Sequence, residues 1–288
     1  MGKRNAVANV LDVVDDPPAS APTPVGRPFV KWVGGKRQLL PHLLQHAPVD
    51  IGTYFELFIG GGALFFALRP PAAVLADVNV RLVRTYKGVR DHVNEVIDRL
   101  RTYPHDSEFF YKLREKNIDA ASDADVAAWF IYLNKTGFNG LYRVNRANQF
   151  NVPFGRYKNP NICDETTLRA CSAALAKTEL LVADFEVVAA KAKKDDFVYF
   201  DPPYVPLSVT SSFTSYTSGG FGPSEQTRLR DTARKLKKRG VRILLSNSSA
   251  PFVRDLYTEG FKLVEVSATR SINSKASGRG AIAELLII

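Results

Sequence analysis

Asp201-Pro-Pro-Tyr204 combines an anionic acceptor, a stiff backbone and a flat aromatic face, directly behind the apolar run Phe197-Val-Tyr-Phe200. Two prolines leave carbonyls that no helix will claim. An amine conjugated to a heteroaromatic ring, such as N6 of adenine, is a poor nucleophile because its lone pair is delocalised. Two acceptors holding both amine hydrogens pull the nitrogen towards tetrahedral geometry and localise that pair. An aromatic face holds a base that has left its stack. A proline-rich surface turn would carry the same four residues. The position behind an apolar strand candidate favours chemistry, because ligands of open α/β sheets bind beyond the carboxyl ends of the strands.

A second set of residues suits a cofactor. Thr53-Tyr-Phe-Glu-Leu-Phe58 is a β-prone run that breaks at Gly60-Gly-Gly62 and passes into Ala63-Leu-Phe-Phe-Ala-Leu68. Glycines let the backbone approach a ligand closely. Phe65 stands where the dinucleotide spacing requires its third glycine, and no phosphate-loop lysine follows. A cofactor without a pyrophosphate therefore fits better than NAD or ATP, although a plain strand-to-helix turn fits equally well. Asp77 ends the next strand candidate, 74–77. An acid there accepts from ribose hydroxyls or caps the helix starting near Asn79. In Lys31-Trp-Val-Gly-Gly-Lys36 the phosphate-loop spacing is missing. Trp32 is suited to pack against a cofactor and Lys36 to reach a carboxylate, or the stretch is a basic turn over the core.

Residues 134–143, Asn-Lys-Thr-Gly-Phe-Asn-Gly-Leu-Tyr-Arg, and 151–157, Asn-Val-Pro-Phe-Gly-Arg-Tyr, interleave cations and amides with aromatics. Arginine reads guanine edges with two donors, asparagine reads adenine, and aromatics wedge between bases. Composition alone favours an ordinary surface loop here. Lys235, Lys237, Lys238 and Arg239 end a helix candidate and read as a solvated face aided by the helix dipole.

These groups must be held by a scaffold. The 288 residues suffice for one large or two small domains, and a formal net charge of +10 draws the chain to an acidic partner, of which nucleic acid is the commonest. Cys163 and Cys171 match no zinc spacing and fit a reducing compartment. His42, His46, His92 and His105 pair with no Cys or acid at zinc-site spacing, so no metal is expected. No apolar run approaches the roughly 20 residues of a membrane span, and the N-terminus lacks a secretion signal. Met1-Gly2 opens like a myristoylation signal, but Ala6 stands where Ser or Thr is needed. Residues 1–26, rich in Ala, Pro and Val, read as a disordered leader. Further strand candidates are 179–183, 197–200, 241–246, 261–266 and 282–288. Helix candidates are 165–176, 185–193, 224–239 and 250–258, and 79–135 reads as helices through positions such as Leu82, Tyr86, Val89, Val93 and Val96. The predicted organisation is an α/β core, 27–78 and 178–288, interrupted by a helical insert, 79–177.

In this order the motifs resemble the Dam-type family (D12 class, alpha group) of DNA adenine-N6 methyltransferases, from Pro28 to Ile288. The resemblance implies a Rossmann-like α/β fold dependent on S-adenosylmethionine, with a mixed sheet of about seven strands and an inserted helical target-recognition domain. It implies cofactor contacts at Trp32, Lys36, Phe58, Gly60, Gly62, Asp77, Asp184, Phe185 and Asp201, and catalysis by Asp201, Pro202 and Tyr204. Asn139-Gly-Leu-Tyr-Arg143 and Phe150-Asn-Val-Pro-Phe-Gly155 resemble members that methylate GATC. That implies DNA contacts at Lys31, Phe138, Asn139, Leu141, Arg143 and Pro153, with Arg143 reading a guanine and Phe138 wedging into the stack. Phe138 stands where some relatives carry Tyr, and Tyr142 also varies. The implied partners are double-stranded DNA and a cognate restriction endonuclease, the implied location the cytoplasm and nucleoid.

Two alternatives stay open at this point. A methyltransferase acting on RNA or on a protein amide shares much of the pattern, although amide methylation commonly uses Asn-Pro-Pro-Tyr in place of Asp201 and its neighbours. A non-catalytic DNA-binding protein on a decayed fold would show damage to the tetrapeptide or the glycine loop, and neither is damaged.

Overall fold

The computed structural model describes residues 26–36, 38–205, 221–269 and 281–288. The expected leader lies outside them except for Gly26. Five apolar runs form parallel strands: β1 (Tyr54–Glu56), β2 (Ala73–Asp77), β3 (Thr178–Val182), β4 (Phe197–Phe200) and β5 (Arg242–Ser248). Two more, β6 (Leu263–Thr269) and β7 (Ala281–Ile287), complete a mixed sheet in the order β3-β2-β1-β4-β5-β7-β6, with β7 antiparallel to both neighbours. The central strands are mostly apolar because both faces are covered, with Glu56 on β1 and Ser246, Asn247 and Ser248 on β5 as buried polar positions. Phe55, Val198 and Leu245 enter one core, while Tyr54, Tyr199 and Leu244 enter the other. β1 is shorter than its 53–58 sequence run. It stops at Glu56, and the chain then turns into the glycine segment.

Helices α1 (Leu40–His46) and α2 (Ala63–Leu68) flank the first strand. Between β2 and β3 run α3 (Val80–Asp91), α4 (Val93–Thr102), α5 (Ser107–Arg114), α6 (Asp123–Thr136) and α7 (Glu165–Leu175). Four of their starts carry side-chain caps: Asn79 accepts from Leu82 N, Asp106 from Phe109 N, Ser122 from Asp125 N and Asp164 from Thr167 N. α6 is buried nearly all round, and its Trp129 and Phe130 share one core with Leu75 and Tyr199 of the sheet. The helical segment thus packs on one sheet face. The other face is covered by α8 (Phe185–Ala189), α9 (Pro223–Lys238) and α10 (Pro251–Leu256). α8 is only five residues long, shorter than the 185–193 expected from the sequence. Among the described residues, no helix is long and apolar enough to cross a membrane.

Candidate active site and nucleic-acid surface

The strand order reverses between β1 and β4, and a crevice for ligands opens at such a switch point beyond the carboxyl ends. The glycine loop leaves β1 there and Asp201 leaves β4 there. Lys36, only 6% exposed, places Nζ 2.8 Å from Asp201 Oδ1 and donates to the Gly34 carbonyl at 2.7 Å. The carboxylate that the sequence expected Lys36 to reach is therefore supplied from within the chain. Ser246 Oγ donates to the same Asp201 oxygen at 2.9 Å and lies 3.0 Å from the Tyr199 hydroxyl. Burial pushes the Asp201 carboxyl above its ordinary range, opposed by the Lys36 charge and by bonds from Lys36 and Ser246.

The segment after Asp201 is fastened at two further points. Gln226 Nε2 donates to the Pro203 carbonyl at 3.0 Å, and its own oxygen accepts from Asn247 Nδ2 at 2.9 Å. Both amides are fully buried. Tyr204 donates to Glu284 Oε2 at 2.8 Å, and Lys36 Nζ sits over its ring, 4.6 Å from the centroid. On β1, the buried Glu56 accepts from the Tyr54 hydroxyl at 2.9 Å and from Phe65 N in the first turn of α2 at 3.1 Å. Glu56 thus caps a helix whose own N-cap, Gly62, offers no side chain. Burial raises its carboxyl to about 8, against the lowering effect of the Tyr54 bond.

The residues expected to hold a cofactor gather at the same end of the sheet. Gly60 has φ +45°, and a Cβ there would come within 2.7 Å of the Trp32 ring, so Trp32 lies directly across the glycine loop. Gly62 is also left-handed, at φ +66°. Asp77 accepts from Asn79 N at 2.9 Å and from the backbone of Gly60 and Val78, tying the loop after β1 to the end of β2. Burial lifts its carboxyl to about 6 despite those bonds. Asp184 caps α8 and pairs with Arg228 at 2.8 Å. Phe185 stacks with Phe58, ring centroids 5.5 Å apart, and Phe221 meets Phe58 edge-on. An amphipathic cofactor with a diol and an aromatic base fits this mixture of an acceptor, close-approach glycines and rings.

The expected base-reading residues lie on one loop after α6, closed by isolated bridges between Gly137 and Phe154 and between Val144 and Phe150. Phe138 is 48% exposed, and its N–H is held by the Pro153 carbonyl at 2.9 Å. Asn139, Arg143 and Pro153 are also exposed, whereas Leu141 is half-buried. Arg143 Nε donates to Asn151 Oδ1 at 2.7 Å and its terminal nitrogen to the Asn151 carbonyl at 3.1 Å. Asn134, buried at the end of α6, accepts from Lys31 N at 2.7 Å and donates to the carbonyls of Lys31 and Gly140. A Cβ on Gly140 would fall 2.3 Å from the Lys31 side chain, which explains the glycine. Lys31 Nζ rests over the Tyr157 ring, 4.3 Å from its centroid. Trp32 is roughly parallel to Tyr142, at 6.0 Å, so the loop is stacked onto Trp32, beside the glycine loop.

Residues 32–272 match the model of the D12 class N6 adenine-specific DNA methyltransferases. The chain belongs to that family. It is 45% identical to the type II methyltransferase M1.LlaDCHI of Lactococcus lactis subsp. cremoris, over 91% of this chain and 94% of that one. It is 42% identical to the type II methyltransferase M.MjaIII of Methanocaldococcus jannaschii, covering 91% and 98% of the two chains. Against the DNA adenine methylase of Vibrio cholerae the identity is 35%, with coverage of 91% and 95%. This adenine-specific DNA methyltransferase therefore acts on DNA, and the alternatives of a protein-amide substrate or a decayed fold fall away.

Sequence reasoning missed several side chains that shape this methyltransferase's site. Glu56, Ser246, Gln226, Asn247 and Glu284 were absent from the expected set, as was Asn134 as a buried hub. A signal existed for three of them. Glu56, Ser246 and Glu284 are polar residues inside apolar strand runs and project to one sheet face, the face of Tyr54, Leu244 and Leu286.

Proposed function

We propose that this enzyme transfers a methyl group from S-adenosylmethionine to adenine N6 within GATC in double-stranded DNA, after the base has swung out of the helix into the Asp201–Tyr204 site. The observation carrying this reading is Asp201 at the switch point, anchored by Lys36 and Ser246 through one oxygen. S-adenosylmethionine supplies an electrophilic methyl group. Asp201 and the Pro202 carbonyl accept the two N6 hydrogens and turn the lone pair outward, while Tyr204 stacks on the base. Gln226 holds the next carbonyl, that of Pro203, in a fixed direction, so the peptide carrying the Pro202 acceptor is preorganised. The cofactor set is Trp32, Lys36, Phe58, Gly60, Gly62, Asp77, Asp184, Phe185 and Asp201. Asp77 takes the ribose hydroxyls and Asp184 with Phe185 the adenine.

Residues 79–177 serve as the target-recognition domain and 27–78 with 178–288 as the catalytic domain. Lys31, Phe138, Asn139, Leu141, Arg143 and Pro153 contact DNA. The GATC assignment rests on the resemblance of 139–143 and 150–155 to GATC-methylating members and on the exposed guanidinium of Arg143, held at rest by Asn151. The type II names of the relatives support a paired restriction endonuclease, and action on chromosomal DNA supports a place in the cytoplasm and nucleoid. The test is methyl transfer from labelled S-adenosylmethionine to a GATC duplex and to the same duplex with purine, which has no N6 amine, in place of the target adenine of both strands. Label in the first and none in the second is expected. Equal labelling of both overturns the assignment of N6, and labelling of a non-GATC duplex alone overturns the site.

A further inference from the structure

The antiparallel strand β7 places Glu284 at the ligand end of the sheet. Ser246↔Leu286 and Ser248↔Glu284 are register partners, and directly opposed residues of an antiparallel pair share a sheet face. Glu284 therefore projects to the same face as Ser246, which holds Asp201. Because β7 runs antiparallel to β5, its middle residue, Glu284, lies opposite Ser248, the last residue of β5. Glu284 Oε2 accepts from the Tyr204 hydroxyl at 2.8 Å, while Lys36 Nζ lies over the ring at 4.6 Å and is itself fixed by Asp201 and the Gly34 carbonyl. The ring is thus gripped by its hydroxyl and on one face, and in the stacking reading given above the base takes the opposite face. Burial, reinforced by the nearby Asp201 and Glu284 carboxylates, holds the Tyr204 hydroxyl far above its ordinary range, so it stays a donor at any working pH.

We propose that Glu284 is a positioning residue for methyl transfer: through the Tyr204 hydroxyl it sets the angle of the ring against which the target adenine stacks. The inference rests on the reading of Tyr204 as the base wall given above. A phenylalanine ring in the same place would stack equally well and keep the contact with Lys36, but it would lose the hydroxyl bond that sets its tilt. The carboxylate matters only through the bond it accepts, so glutamine, whose amide oxygen also accepts, replaces it.

The experiment compares kcat on a GATC duplex, and the calorimetric Kd for S-adenosylmethionine, in the full-length wild type, Glu284→Gln, Glu284→Ala, Tyr204→Phe and the Tyr204→Phe/Glu284→Ala double variant. Expected is a loss of kcat on the order of tenfold for Glu284→Ala and the same for Tyr204→Phe, because a slight misplacement of the reacting base is costly. The double variant should be no slower than either single one, Glu284→Gln should stay within about threefold of wild type, and cofactor affinity should hold throughout. Additive losses in the double variant, or a Glu284→Gln as slow as Glu284→Ala, overturn the proposal. Should Glu284→Ala fail to fold, Tyr204→Phe decides alone, and wild-type turnover there overturns it. Tyr204→Ala separates the two layers. Near-normal turnover in Tyr204→Ala defeats the base-wall reading itself, whereas an inactive Tyr204→Ala beside a fully active Glu284→Ala defeats only the brace.

Discussion

The catalytic end of the sheet and the loop after α6 hold their functional side chains in opposite ways. At the sheet, Asp201 and Lys36 are largely withdrawn from water, bonded to each other and backed by Ser246, Tyr199 and the Gln226–Asn247 pair. On the loop, Phe138, Asn139 and Arg143 stand in solvent, the backbone beneath them is fixed by Asn134, Pro153 and Asn151, and the Arg143 guanidinium rests on Asn151. A group that stabilises a transition state has to be oriented before substrate arrives. A group that reads a base edge has to be reachable and to trade its resting partner for the base. In the proposed reading, Arg143 resting on Asn151 and Asp201 resting on Lys36 are these two cases in one chain.

The comparison breaks most sharply if the buried cluster tolerates damage. Asp201→Ala should lower kcat by roughly a hundredfold or more, with circular dichroism and duplex binding retained. Turnover near that of wild type would remove Asp201 from the chemistry. Lys36→Met should slow the enzyme by about tenfold and also move its pH profile. Asp201 is the stronger hydrogen-bond acceptor as the carboxylate, so activity is highest above its pKa and declines as pH falls through it. Burial raises that pKa and Lys36 lowers it. Without the lysine the acid limb of kcat moves to higher pH; a limb at the wild-type pH would contradict the pairing.

On the exposed side, Arg143→Ala should cost roughly 1–3 kcal/mol at one guanine position and leave transfer to an already favoured site chemically intact. Ranking methylation rates on single-base variants of GATC checks this, and an unchanged ranking would show that Arg143 reads no base. The smallest effect concerns stability. Glu56 has its carboxyl raised from 4.5 to about 8 in the fold. The folded chain therefore keeps a proton that the unfolded chain gives up, and this contribution is whole below about pH 4.5 and lost as pH rises towards 8. Glu56→Gln keeps the acceptor for Tyr54 and Phe65 without titrating. Its Tm should gain on wild type by a few degrees between pH 5 and pH 8, and a constant offset across that range would refute the account.

Much of the catalytic end was legible from sequence because its signals are local. Glycine punctuation at 60–62, the proline pair after Phe200 and the apolar runs of β1, β2, β4 and β5 each announce themselves within a few residues. The supports were not legible because their partners are remote. Glu284 meets Tyr204 across 80 positions, Ser246 meets Asp201 across 45, and Asn134 meets Lys31 across 103. A single polar residue in an apolar run indicates that a partner is needed but not which one. Lys36 marks the same boundary. Its likeness to a cofactor contact was readable, whereas its bond to Asp201 depends on the fold bringing the loop before α1 to the end of β4.

The central claim is that chemistry resides at Asp201 and sequence choice at Arg143, separably. Single-molecule sequencing of DNA from cells expressing wild type, Asp201→Ala or Arg143→Ala, with detection of N6-methyladenine, tests both halves at once. The account predicts modified GATC for wild type, no modification for Asp201→Ala, and modification spread to sites altered at one guanine for Arg143→Ala. Modification confined to GATC in both wild type and Arg143→Ala, or its persistence in Asp201→Ala, would contradict it.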